Sequence, residues 1–93
     1  MGSIVNMRKA IQITTAEDFA YVMRDARVRR GITQADLAVR IGKSRKWVID
    51  VERGETMPTL PAVIQVSHVL GFSLSLNRVD EESQDLLSMV LGE

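Results

Sequence analysis

The stretch from Ser44 to Asp50 carries most of the polar chemistry this sequence offers: Ser44, Arg45, Lys46, Trp47 and Asp50 follow one another closely. A guanidinium can pair bidentately with the acceptor edge of guanine. An ammonium can reach the same acceptors or a phosphate, and a carboxylate can accept from the cytosine amino group. A tryptophan beside such a cluster can lay its ring along a sugar and direct its indole N–H to a phosphate, or it can cover core instead. Lys46 and Asp50 are spaced i,i+4, so on a helix they could equally form a surface ion pair worth roughly 0.2–0.5 kcal/mol.

Other chemistry is sparse. There is no Ser-His-Asp set, cysteine nucleophile, phosphate-binding glycine loop or metal-ligand cluster, and His68, the lone histidine, lacks co-ligands. The expectation is a protein that is not an enzyme and needs no cofactor or metal. The absence of cysteine excludes disulfides and suits a reducing compartment. No apolar run approaches a membrane span and no signal peptide opens the chain, so a cytoplasmic protein is expected.

The elements that must present the Ser44–Asp50 cluster are legible from caps and spacing. Thr33 is an N-cap, with Asp36 completing a capping-box variant, and Leu37, Ala38 and Ile41 share one face up to Gly42, a helix stop. Ser44 caps the next helix, Val48 and Val51 turn inward, and Gly54 ends it. Two short helices joined by a glycine turn can bury their inner faces against a third, which leaves the outer face of the second helix, with Arg45, Lys46, Trp47 and Asp50, free to enter a major groove by its N-terminal end.

The third helix lies upstream. Thr15 and Asp18 form a further capping-box variant, and Phe19, Val22, Met23 and Ala26 share a face in a helix running to about Arg30. Arg24, Arg27, Arg29 and Arg30 crowd its C-terminal end, where the helix dipole favours them. Downstream, Thr59 caps a helix that runs to Leu70 with Pro61 in its first turn, with Leu60, Val63, Ile64, Val66, Ser67 and Leu70 as a broad apolar face and Gly71 as its end. Formal net charge is zero, yet residues 1–54 hold eleven Lys or Arg against six acids, a balance of +5, and residues 55–93 hold one Arg against six acids, a balance of −5. A basic face able to track phosphates is thus separated from an acidic end.

The segment GITQADLAVRIGKSRKWVIDVERG resembles the helix-turn-helix core of the Cro/C1-type (XRE) regulators, and MRDARVRRGITQ upstream and ERGETMPTLPAVIQVSHVLGFSLSL downstream extend the likeness. The SRKW start of the recognition helix and the LGFSLSL segment are most similar to HipB-type antitoxins. The resemblance implies that Arg45, Lys46 and Asp50 occupy base-reading positions, that Gln34 clamps a phosphate from its helix N-terminus, and that Arg27 pairs structurally with Glu52. Gln34 could also be no more than a good first-turn residue, and Arg27 could contact DNA itself. The residues expected at the DNA are Thr33, Gln34, Lys43, Ser44, Arg45, Lys46, Trp47 and Asp50.

In FSLSL, Phe72, Leu74 and Leu76 alternate with Ser73 and Ser75, the pattern of a strand buried on one face. An isolated strand leaves its backbone groups unpaired. Pairing with the same strand of a second copy, as the likeness to HipB-type dimers implies, satisfies them; pairing with residues 10–13 of the same chain is the alternative. Asp80, Glu81 and Glu82, followed by Leu86, Leu87, Met89, Val90 and Leu91, read as a short amphipathic helix that could cap the dimer, dock on a partner or remain disordered.

The expected fold is all-α, a lambda-repressor-like bundle of four to five helices with a short C-terminal strand pairing across a dimer. Residues 1–14 form an arm, in which Arg8 and Lys9 could reach DNA, 15–71 the helix-turn-helix domain, and 72–93 the dimerisation strand and C-terminal helix. The expected function is that of a homodimeric repressor on palindromic double-stranded DNA. The HipB likeness adds the role of a type II antitoxin that restrains a HipA-type serine/threonine kinase toxin and autoregulates its promoter. A stand-alone regulator of phage or metabolic genes and a purely protein-binding module are the alternatives.

Overall fold

The structure, a computed structural model, describes residues 10–78. It contains four helices in this range: α1 (Ala16–Arg29), α2 (Gln34–Ile41), α3 (Arg45–Glu52) and α4 (Leu60–Val69). Each begins where a hydroxyl side chain can take a first-turn amide that the helix itself leaves unpaired. Thr15, Thr33, Ser44 and Thr59 accept from the backbone N–H of Asp18, Asp36, Trp47 and Ala62 respectively. Only at α1 is the capping box reciprocal, with the Asp18 carboxylate accepting from the Thr15 N–H. At α2 Thr33 caps alone, with no return bond from the Asp36 side chain among the described residues.

Each helix also ends on a glycine at positive φ, and in each case the amide one residue further on bonds back into the last turn. The α2 closure matters most for the architecture. Gly42 sits at φ 67°, where a Cβ would crowd the backbone, and the Lys43 N–H returns to the Ala38 carbonyl at 2.9 Å. The chain thereby turns within the few residues that separate α2 from α3.

The core draws on all four helices: Phe19, Met23 and Ala26 from α1, Leu37, Ala38 and Ile41 from α2, Val48 and Val51 from α3, and Val63 and Val66 from α4, with Ile32 and Leu70 closing its ends. Leu37, Val48 and Val51 are fully enclosed, which stabilises the fold by about 1.5–3 kcal/mol per side chain. α4 differs from its expected pattern. Leu60 and Ile64, placed by spacing on its apolar face, are exposed, because Ala62, Val63, Val66 and Ser67 form the buried side.

One long-range bond ties the two ends of the bundle together. The Arg30 guanidinium, just past α1, donates from Nε to the Leu70 carbonyl at 2.8 Å, supplying a donor to an otherwise free carbonyl at the end of α4. Beyond it, residues 72–78 carry no regular secondary structure, so the expected strand is not formed in the single chain. The Phe72 N–H is already committed to the Ser67 carbonyl at 2.8 Å, which removes it from any ladder. Phe72, Leu74 and Leu76 are exposed, and residues 10–14 are equally irregular, so the intrachain pairing is not formed either. The C-terminal helix expected after Asp80, and Arg8 and Lys9 of the arm, lie outside the described residues. Among the described residues no helix is long and apolar enough to cross a membrane.

Candidate nucleic-acid interface

With Val48 and Val51 fully buried on its inner side, α3 must turn its first-turn residues outward, and Arg45 and Lys46 are exposed. Lys43, Ser44, Arg45, Lys46 and Trp47 therefore converge at the amino end of α3. The Ser44 Oγ accepts the Trp47 N–H at 3.0 Å, a capping bond that leaves the hydroxyl hydrogen free to donate outward. Within this tip, Arg45 has no ion-pair partner among the described residues, and no acid lies in the first turn of α3.

Lys46 is differently placed. Its Nζ lies 2.8 Å from Asp50 Oδ2, so the i,i+4 ion pair is formed. The hydrogen bond that Lys46 donates to Asp50, then the charge of that carboxylate, hold the Lys46 ammonium above its ordinary pKa. The pair has an outer and an inner member, the lysine side chain being 83% exposed and the aspartate 26%.

Of the two places open to Trp47, the structure shows the one against the core. Its ring is half-buried and packs against the core, and the Lys43 ammonium lies over it, 5.5 Å from the ring centroid. A cation at that distance is drawn to the negative face of the ring. This contact escaped the reading of the sequence, although the four-residue spacing of Lys43 and Trp47 was a usable signal.

At the opposite end of α3, about 12 Å along an eight-residue helix, Glu52 organises a second cluster. Its carboxylate accepts from Arg27 Nε at 2.6 Å and Nη2 at 3.0 Å, while Arg27 Nη1 donates to the Ile32 carbonyl at 2.7 Å. The two side chains are 10% and 3% exposed, so the expected structural pair is present and Arg27 is not free to touch a ligand. Gln34 Nε2 donates to the same carboxylate at 3.2 Å. That bond uses one of its two amide hydrogens and orients the other, with the Oε1 acceptor, away from the pair. Gln34 is thus anchored, but on Glu52 and not beside the Ser44–Trp47 tip. Thr33, next to it, is exposed and spends its hydroxyl oxygen on the cap of α2. Phe72, Leu74 and Leu76 lie apart from both clusters, in the irregular segment after α4.

Two helices at a tight turn, the second exposing a cationic amino end and anchored by a buried Arg–Glu pair to the first helix of the bundle, form a helix-turn-helix. The helix-turn-helix family profile matches residues 23–77, more than half of the chain, from the middle of α1 past the end of α4. The chain belongs to this family. Its membership is of the XRE type, and the helix-turn-helix match takes in Arg27, both clusters of α3 and the Gly42 turn. Comparison with curated proteins found no match.

Among solved structures, the helix-turn-helix bundle is similar to FeII HppE in complex with substrate, at 32% identity and a TM-score of 0.60, over 63% of this chain and 34% of that one. It is similar to apo-HppE at 33% identity and 0.60, over 64% and 34%. The hydroxypropylphosphonic acid epoxidase from S. wedmorenis matches at 32% and 0.60, over 67% and 33%. The chain spans about one third of the length of these structures.

Proposed function

We propose that this chain is a sequence-specific DNA-binding transcriptional repressor without catalytic activity of its own. Lys43, Ser44, Arg45 and Lys46 deliver the amino end of α3 to a major groove, and Gln34 and Thr33 meet the backbone from α2. The observation that carries this reading is the division of α3: Val48 and Val51 are wholly buried while Arg45 and Lys46 stand outward at its free end. Arg45, unpaired by any described acid, is the main reader of guanine; Lys46 can reach the same acceptors, Asp50 can accept from the cytosine amino group, and the edge of Trp47 can meet sugar and phosphate. Family membership supports double-stranded DNA as the partner.

The finer reading is a homodimer on a palindrome with half-sites about one helical turn, roughly 34 Å, apart. It would be a cytoplasmic antitoxin similar to the HipB type, restraining a HipA-type kinase and repressing its own operon. Exposed Leu74 and Leu76 supply the apolar surface that a second copy would cover. A stand-alone regulator shares the same DNA chemistry and differs only in lacking a kinase gene beside its own.

A second reading has one observation in its favour. The likeness to HppE, described as an epoxidase, covers only a third of that protein, and a helical bundle of this shape could act in a larger assembly as a protein-docking module. Fluorescence anisotropy against the protein's own upstream promoter and a scrambled duplex, each across a salt series, separates the two. A repressor prefers its promoter by on the order of a thousandfold, and Arg45→Ala with Lys46→Ala removes that preference. Equal, steeply salt-dependent binding to both duplexes refutes the repressor reading, and a double variant that keeps its preference refutes the assignment of base reading to Arg45 and Lys46.

A further inference from the structure

The Lys46–Asp50 pair sits on the face of α3 that reads DNA, yet it neutralises one of the cations the interface needs. Its geometry is specific. The ammonium is the outer member and the carboxylate the shielded one, one helical turn deeper, with their atoms 2.8 Å apart. Arg45 beside it carries no such partner among the described residues. The charges facing Lys46 are Asp50 first and, more distantly, Glu55.

A cation already held by a carboxylate gains less from a phosphate, because its transfer leaves the carboxylate bare among the negative charges of the duplex. A G·C pair in the major groove offers a different exchange. Guanine O6 and N7 accept from an ammonium, and the cytosine amino group donates to a carboxylate. Both members of the ion pair then find a partner at once, and neither charge is stranded.

We propose that Asp50 is a specificity-determining residue that works through Lys46, withholding the ammonium from phosphates on arbitrary DNA and releasing it where a G·C pair supplies partners for both side chains. The proposal rests on the DNA-binding reading above. Asp50 therefore weakens non-specific binding while favouring the cognate site.

The test is a double-mutant cycle of Asp50→Asn and Lys46→Met, measured on the promoter duplex and on the scrambled duplex across a salt series, with circular dichroism confirming that each variant is folded. Asp36→Asn, which removes an exposed acid from α2, controls for loss of negative charge alone. Asp50→Asn is expected to tighten binding to the scrambled duplex about twofold, the worth of one exposed i,i+4 pair, and to steepen its log K against log salt slope by about 0.9, one further phosphate contact. Promoter preference is expected to fall about tenfold. With Lys46→Met in place, Asp50→Asn is expected to leave the slope unchanged. An Asp50→Asn effect that persists without Lys46, that is matched by Asp36→Asn, or that is absent altogether overturns the proposal while leaving the repressor reading intact. A wild-type protein with no promoter preference overturns both.

Discussion

Replacing Glu52 by alanine removes the acceptor of three hydrogen bonds at once, two from Arg27 and one from Gln34, in a site where the Arg27 side chain is only 10% exposed. The guanidinium is left with the Ile32 carbonyl as its remaining partner, held at 2.7 Å. Removing one member of a buried pair costs about 3–5 kcal/mol, because the other charge stays desolvated. The surviving carbonyl bond sets the expectation at the lower end, about 3 kcal/mol. A chain of this length has a total stability of about 5–14 kcal/mol at 0.05–0.15 kcal/mol per residue, so the loss is a large fraction of it. The melting temperature should fall by about 12–24 °C, at 4–8 °C for each kcal/mol. Urea and thermal unfolding followed by far-UV circular dichroism measure both quantities. A loss below about 1 kcal/mol would refute the picture of a charge stranded in the bundle. The paired replacement Arg27→Met with Glu52→Leu strands no charge and should recover most of the stability.

Other outcomes follow from the same contacts. Gly42→Ala should cost about 1–2 kcal/mol for its left-handed backbone alone, since among the described residues nothing beyond the adjoining backbone lies within 4 Å of the added Cβ. Gly71→Ala should cost about 1 kcal/mol more in urea unfolding, because the added Cβ would collide with the Arg30 guanidinium and dislodge it from the Leu70 carbonyl. The Asp18 carboxylate, held below its ordinary pKa first by the Thr14 N–H and then by the Thr14 hydroxyl, should titrate by NMR below the ordinary aspartate range. A depressed carboxylate stabilises the fold above its unfolded pKa and ceases to do so as pH falls through the folded one. The stability gap between wild type and Asp18→Asn should therefore close below about pH 3.9. Truncation before Phe72 should yield monomers with much weaker promoter binding. A truncated protein that sediments as a dimer would exclude the 72–76 segment as the contact.

What the sequence made legible was local. Caps at Thr15, Thr33, Ser44 and Thr59 and stops at Gly42, Gly54 and Gly71 lie within a few residues of what they bond to, so a short window suffices to find them. Contacts spanning the chain were visible only where a family likeness supplied the partner, as for Arg27 and Glu52, 25 residues apart. Nothing in the sequence pointed from Arg30 to the Leu70 carbonyl, 40 residues on, because a backbone acceptor leaves no mark in residue type. The Gln34 side chain was expected at a phosphate, and its bond to Glu52 left no mark in the sequence because it depends on how α2 meets the end of α3. The alternation of FSLSL suggested a strand, yet alternation records which faces differ and not whether a neighbour is present to bond. The helix closure that takes the Phe72 N–H lies in the backbone. Leu60 and Ile64 belong to the apolar face that spacing identifies, but spacing does not say how much of that face the neighbouring helices are wide enough to cover.

Trp47 is the only tryptophan in the chain, and it lies under the Lys43 ammonium at the tip of α3. The protein thus carries its own optical label, with one emitter at one address. An indole half in the core and half beneath a cation responds in wavelength and intensity when that cation is drawn away towards a phosphate. Events at the amino end of α3 can accordingly be followed in unlabelled protein with unlabelled duplex, and on the millisecond timescale of stopped-flow mixing, without a dye competing for the surface under study.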